Sequence, residues 1–190
     1  ALLLMNLQNE YFLPSGKLFA NVYTQGGSLS TRANLIVAEL SKFDTLMVYL
    51  PLVYDQSDFE ENHNIQSMNQ LLKQEPLKAG TTGAEFCNCI KSPAPIMHML
   101  ARNRFNAFHD ASLHQTLMEN DIGNLIMIGA DASLSIDFTA RAGFELGYDV
   151  FIISDCMMSN SEKEHEIYCE TIFPKFAQVM TTDQLLEELK

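Results

Sequence analysis

The sequence predicts an α/β domain built on a parallel sheet, and three observations carry that prediction. Six short apolar runs recur along the chain, segments of helical period lie between them, and 190 residues with 47% hydrophobic content supply one full core but not two. The runs are ALLLM (1–5), TLMVYL (45–50), PIMHML (95–100), NLIMIG (124–129), DVFIIS (149–154) and AQVM (177–180). Each has the length of a strand, and buried parallel strands read as continuous apolar stretches.

The first connection, SLSTRANLIVAELSKF (28–43), places Ala33, Ile36, Val37 and Leu40 at helical spacing behind Ser and Thr caps. ASLHQTLMEND (111–121), LSIDFTARAGFELG (134–147), SEKEHEIYCETIF (161–173) and TTDQLLEELK (181–190) read as helices in the same way. The strand–helix–strand repeat implies right-handed crossovers. The stretch from Pro51 to Pro95 departs from it, with one helical segment, NIQSMNQLLKQ (64–74), set in polar and Gly/Thr-rich sequence of the kind that carries function.

Composition excludes several function classes. The formal net charge is −12, from 24 acids against 12 scattered Lys and Arg, which is the wrong balance for a phosphate backbone and predicts no nucleic-acid partner. No apolar run approaches the roughly 20 residues of a membrane span. The opening run lacks a basic leader and a small-residue cleavage site, so it is not read as a signal peptide. Cys87, Cys89, Cys156 and Cys169 follow no disulfide framework and are expected as reduced thiols of a cytoplasmic protein.

Ligands of such sheets bind outside the carboxyl ends of the strands. That rule selects Asn6, Pro51 to Asp55, Arg102 to Phe108, Gly129 to Ser135 and Asp155 to Ser159. Gly129 permits a tight exit, and the helix that follows offers free N–H groups to an oxyanion or bound anion. Ser133 and Ser135 lie in that turn, where the common role of serine is a cap.

The segments ALLLMNLQNEYF (1–12), GTTGAEF (80–86), RNRFNAFHDASL (102–113) and LIMIGADASLSIDFTARAGFELGYDVFIISD (125–155), with the ending VMTTDQLLEEL, together resemble the isochorismatase-like cysteine hydrolase family. That family includes nicotinamidases, carbamoylases and isochorismatases. The resemblance covers essentially the whole chain as a single domain, residues 1–190. It implies a three-layer α-β-α, Rossmann-like fold with a six-stranded, doubly wound parallel sheet.

It also implies a site. In the family an Asp ends the first strand, a Lys stands six residues before the Phe of a Ser-Ala-Phe segment, and a nucleophilic Cys opens the helix after a glycine turn. The Asp takes the thiol proton, the Lys stabilises charge, the thiolate attacks, and N–H groups after a cis peptide hold the oxyanion. Carried onto this sequence, the three positions fall on Asn6, Arg102 and Ser135. The backbone of Asp131 and Ser135 is expected to bind the oxyanion or anion, and Phe12 and Phe108 to line the pocket.

These residue types change the expected chemistry. An amide takes no proton at useful pH, a hydroxyl is a poorer nucleophile than a thiol, and the arginine fork suits carboxylates or phosphates. With a net positive charge beside helix N–H groups, the site is expected to bind a small anionic metabolite without turnover. Alternatives are an oligomeric scaffold, with a homo-oligomer formed through the Ser135 to Leu146 helix (Ala140, Ala142, Gly143, Phe144), or a hydrolase of a small amide, ester or vinyl ether using Ser135 or a non-standard site.

The remaining chemistry-bearing residues are assigned as follows. His98 is read as a core or helix-facing histidine, and His109 as able to approach the site, with Glu85 a further spare group. Arg104 is placed on the opposite side from Arg102. The pair in EFCNCI is compatible with a metal or redox role, but a structural one is preferred. Asp55 and Asp58, with only His63 nearby, do not reproduce the nicotinamidase Asp-x-His pattern, so no metal and no cofactor are expected.

Overall fold

The computed structural model describes residues 1–19, 23–24, 28–60, 72–91 and 97–190. Most of the expected helix at 64–74, His63 and the start of the third expected strand lie outside these residues. The described strands are β1 (Leu2–Met5), β2 (Tyr23–Thr24), β3 (Met47–Leu50), β4 (Met97–Met99), β5 (Asn124–Gly129), β6 (Asp149–Ser159) and β7 (Gln178–Met180). They form one sheet in the order β2-β6-β5-β1-β3-β4, with β7 also paired to β6. Six strands run parallel, as expected. The seventh, β2, is an addition: it pairs antiparallel with the far end of β6, Tyr23 opposite Ser159.

β1 sits at the centre, hydrogen-bonded in parallel to β3 and β5. Its residues alternate between the two cores, as the pleat requires. Leu2 and Leu4 join Ala33, Ile36, Leu40 and Ile153 on one face. Leu3 and Met5 join Leu113, Leu117, Leu125 and Ala140 on the other. All four β1 side chains are fully buried, a degree at which truncating a leucine costs about 2–5 kcal/mol.

Helices cover both faces and complete the three layers. The first core lies under α2 (Leu29–Leu40) and a C-terminal helix, Thr182–Glu188; the second lies under Ala111–Glu119 and Asp137–Glu145. Two short helices were not foreseen, α1 (Asn9–Phe12) and α3 (Gln56–Glu60). In order after α3, the later helices are α4 (Ala111–Glu119), α5 (Asp137–Glu145), α6 (Glu162–Ile167) and α7 (Thr182–Glu188). Thr181 and Gln184 make a reciprocal capping box at α7, and Asp110 caps α4 through Ser112 N.

β6 runs five residues beyond its expected end. Ser154 and Asp155 look like a polar stop, but Asp155 accepts from both the backbone and the hydroxyl of Thr182 at 2.8 Å and from Arg32 Nε at 2.9 Å. With those groups satisfied the strand continues through buried Cys156, Met157 and Met158 to Ser159. The extension carries Met158 and Ser159 over the carboxyl ends of the neighbouring strands.

Candidate functional site

Asn6 leaves β1 with a left-handed backbone, φ 48°, a conformation asparagine tolerates better than most residues. Its N–H still bonds Leu50 O, and Gln8 N bonds back to Asn6 O at 2.8 Å. The chain therefore turns at Asn6 while staying tied to β3. Gln8 then clips this exit in place: its side chain donates to Leu52 O and Ala84 O and accepts from Leu52 N, all within 3.0 Å. Asn9 Nδ2 adds a bond to Thr82 O. The amides that follow β1 are thus bound structurally to two neighbouring loops.

On the other side, Gly129 ends β5 at φ 117°, where a Cβ would collide with the Met5 carbonyl. The Ala130–Asp131 peptide is cis. A widened turn, Ala132–Ile136, then leads into α5, and its cap is Asp131, whose carboxylate accepts from Leu134 N at 2.9 Å and Ser135 N at 3.2 Å. The expected serine cap and the expected anion-binding use of the Ser135 N–H are both corrected here: the side chain of Asp131 occupies that N–H.

Asn6, Arg102 and Ser135 come together although 129 residues separate the first from the last. Arg102 Nη2 donates to Asn6 Oδ1 at 2.8 Å, and Asn6 Nδ2 donates to Ser135 Oγ at 2.8 Å. A guanidinium can only donate, so it fixes which amide atom is oxygen and sets the direction of the whole chain. Asn6 and Ser135 are fully buried and Arg102 nearly so. The second arm of Arg102, Nη1, bonds Arg104 O at 2.7 Å, while Nε is buried without a hydrogen-bond partner. No described carboxylate forms an ion pair with it. Burial pulls the guanidinium down to about 10, partly offset by Tyr11, Tyr54, Asp131 and Tyr49.

Beside this chain lies a cavity of about 130 Å³, lined in part by Tyr11, Leu52, Tyr54, Phe105, Asp131 and Ser159. Asn6, Arg102 and Ser135 do not line it. Tyr11, Tyr54 and Asp131, which interact electrostatically with Arg102, line it. Burial pushes the Asp131 carboxyl up to about 6 despite the two N–H groups that bond it. Tyr11 is pushed well above the ordinary tyrosine value, chiefly by burial and then by Asp131, while a side-chain hydrogen bond with Asn6 pulls it down.

The pocket aromatics differ from those expected. Phe12 lines an adjoining surface hollow with Phe19 and Ser28, while Tyr11, its neighbour, borders both that hollow and the cavity. Phe108 lies in the opposite core, stacked on Tyr148 with 5.8 Å between ring centroids, and Phe105 takes the cavity wall. The sequence signals for Tyr11 and the Asp131 carboxyl are an aromatic five residues after Asn6 and an Asp three residues before Leu134 in a capping position.

The other candidates separate. His98 is exposed rather than in the core, since β4 is the edge strand of the described sheet. His109 lies exposed with Asp110 Oδ2 at 3.6 Å. Arg104 and Glu85 are exposed, each using its backbone carbonyl, to Arg102 and to Asn9 N. Asp58 accepts from Asp55 N and Asn103 Nδ2, closing a turn. Among the described residues no group of three or more His, Cys, Asp or Glu is placed to hold a metal, and no helix is long and apolar enough to cross a membrane. Cys87 and Cys89, expected as free thiols, are joined as a disulfide, their Cα atoms being 5.3 Å apart; Cys156 and Cys169 are free.

The family model for the isochorismatase domain matches residues 1–184. The chain is 30% identical over 93 residues to the isochorismatase family protein YwoC of Bacillus subtilis, covering 49% of each chain. It is 28% identical over 111 residues to nicotinamidase 3 of Arabidopsis thaliana, covering 58% of this chain and 56% of that one. The matched region spans about half the length of these curated relatives. Two solved structures share the fold: an isochorismatase-like hydrolase from Alkaliphilus metalliredigens (TM-score 0.81, 18% identity, covering 100% of this chain and 98% of that one) and an isochorismatase family protein from Desulfovibrio vulgaris (0.82, 19%, 99% and 96%).

Proposed function

This chain belongs to the isochorismatase domain family, and we propose that it holds a small anionic metabolite in the cavity beside Arg102 without hydrolysing it. One observation carries the proposal: the hydrogen-bond chain runs from Arg102 through Asn6 to Ser135, so every link points a donor toward Ser135. Asn6 spends its one acceptor on Arg102 and presents an N–H to the hydroxyl. The Ser135 proton has no base to receive it there, and a serine without a base is not a nucleophile. The family resemblance puts Asp, Lys and Cys at these three positions, so the inherited proton transfer is missing at each end.

The charge of Arg102 supports the anion. A buried guanidinium costs several kcal/mol unless it is paired, and its bonded partners here, Asn6 Oδ1 and Arg104 O, are neutral. An anion in the cavity supplies the missing charge through the low-dielectric wall. Leu52, Phe105 and the rings of Tyr11 and Tyr54 suit a short apolar or planar body, and the volume limits it to a few heavy atoms. Isothermal titration of small carboxylates against wild type and Arg102→Met tests this: heat with wild type that disappears in the variant is expected, and equal or absent binding in both contradicts it.

A second reading rests on α5. Its small residues Ala140 and Gly143 are buried, Gly143 facing Leu125 and Val150 of the domain's own sheet, while Phe138 and Phe144 are each 49% exposed. Phe138 stacks on Phe105 of the same chain, and we assign the exposed Phe144 ring to a contact with a second copy of the chain. Light scattering of wild type against Phe144→Asp tests it, with a shift from dimer to monomer expected and a monomeric wild type contradicting it.

A further inference from the structure

We propose that Cys87 and Cys89 form a reversible dithiol–disulfide couple that exchanges with small-molecule thiols, with Cys89 as the sulfur that meets the co-reactant. This goes beyond the metabolite site and does not depend on it.

The two sulfurs belong to a short segment fixed by bonds that do not involve sulfur. Cys87 N donates to Leu7 O at 2.9 Å, and Ile90 N donates to Cys87 O at 3.0 Å. At the far side Asn34, on α2, donates to Cys89 O at 3.1 Å and accepts from Lys91 N at 2.6 Å. Ile90 anchors the segment in the core, and Phe86 packs edge-on against Tyr49 with 4.8 Å between ring centroids. Both Cα atoms are thus held 5.3 Å apart by the backbone, inside the range a disulfide spans. Reduction leaves the two thiols side by side, so re-closure is intramolecular and outcompetes a second external thiol.

Exposure divides the roles. Cys87 is 1% exposed while Cys89 lies at the surface. Only Cys89 is open to in-line attack by, or on, an external sulfur. The Cys89 N–H points at Cys87 Sγ at 3.3 Å, where it supports negative charge on the buried sulfur when the bond opens. The remaining cysteines are set apart: Cys156 is fully buried, and burial raises Cys169 to about 11.

The exchange balances with a low-molecular-weight disulfide, RSSR, as oxidant. The Cys89 thiolate attacks one sulfur; the Cys89–SR bond forms, the S–S bond breaks, and the departing RS⁻ takes up the proton Cys89 lost. The Cys87 thiolate then attacks the Cys89 sulfur and expels the second RS⁻, which takes the Cys87 proton. Two protein thiols lose two electrons and two protons, and RSSR becomes two RSH. The reverse sequence, begun by RS⁻ on the Cys89 sulfur, restores the dithiol.

The test uses the full chain, reduced with dithiothreitol, desalted and equilibrated in graded ratios of glutathione to glutathione disulfide. Acid quenching, alkylation in denaturant and intact mass measurement then count the thiols. Wild type is expected to pass reversibly from four maleimide adducts to two, with no glutathione retained. Cys89→Ser is expected to keep all three of its thiols at every ratio, and Cys87→Ser to trap one glutathione on Cys89. Wild type that stays reduced throughout, that ends as a stable glutathione adduct, or whose oxidation persists in Cys89→Ser overturns the proposal. Should Cys87→Ser fail to fold, the surface variant Cys89→Ser and peptide mapping of oxidised wild type decide it.

Discussion

Asn6 and Ser135 share a buried hydrogen bond of 2.8 Å in which the amide is the donor. Because Arg102 holds the other end of that amide, Asn6 is the member whose loss does most damage. Asn6→Ala strands a buried guanidinium nitrogen and a buried hydroxyl together and is expected to cost about 3 kcal/mol, against about 1 kcal/mol for Ser135→Ala. Urea unfolding measures both; a larger loss at Ser135 than at Asn6 would contradict the ordering.

Arg102→Met is expected to separate stability from binding. Removing a buried charge that lacks a counter-ion relieves a desolvation cost of several kcal/mol, which offsets the cost of about 1–3 kcal/mol of leaving Asn6 Oδ1 without its donor. The unfolding midpoint should therefore hold or rise while carboxylate binding falls by at least about tenfold. Thermal melts with and without ligand report both, and a variant that is destabilised yet still binds would refute this division.

Asp131 predicts a pH dependence whose sign can be worked out. Its carboxyl titrates at about 6 in the folded chain against an ordinary 3.8, because burial disfavours the charged form. An acid raised on folding makes the native state bind more protons, so its contribution is most favourable below about pH 4 and is lost as pH rises through 6. An anion in the cavity beside it should bind about tenfold more weakly at about pH 8 than at about pH 5. Asp131→Asn keeps the cap acceptor for Leu134 N and Ser135 N and should flatten the profile. A profile unchanged in Asp131→Asn would assign the titration elsewhere.

Gly129→Ala tests how tightly β1 and β5 approach. The left-handed backbone and the collision of a Cβ with Met5 O together predict a loss of about 3 kcal/mol or more. Denaturant midpoints measure it, and a loss under about 1 kcal/mol would mean the strand ends separate freely.

The fold was legible wherever one apolar period ran between clear stops. Asn124 to Gly129 reads as a strand and is one over those six residues, because glycine ends the run and burial on both faces needs no alternation. β6 outruns its apolar stretch because Thr182 and Arg32 satisfy Asp155, a tertiary meeting that no local pattern displays. α1 escaped because four residues carry no period, and with it went the distinction between Tyr11 and Phe12. In the site, the strand ends select the segments, and the family resemblance singles out Asn6, Arg102 and Ser135 within them. What the sequence left hidden was depth: that the three lie beneath the cavity wall, with Asp131 exposed to the cavity in their place.

Ligand-observed proton NMR of one sample holding the protein and a panel of small carboxylates, amides and esters tests the central claim most directly, because it reads binding and turnover together. Saturation transfer to a carboxylate that vanishes in Arg102→Met, with every amide and ester signal undiminished, is the predicted result. Product signals that grow with wild type and are abolished by Ser135→Ala would contradict it.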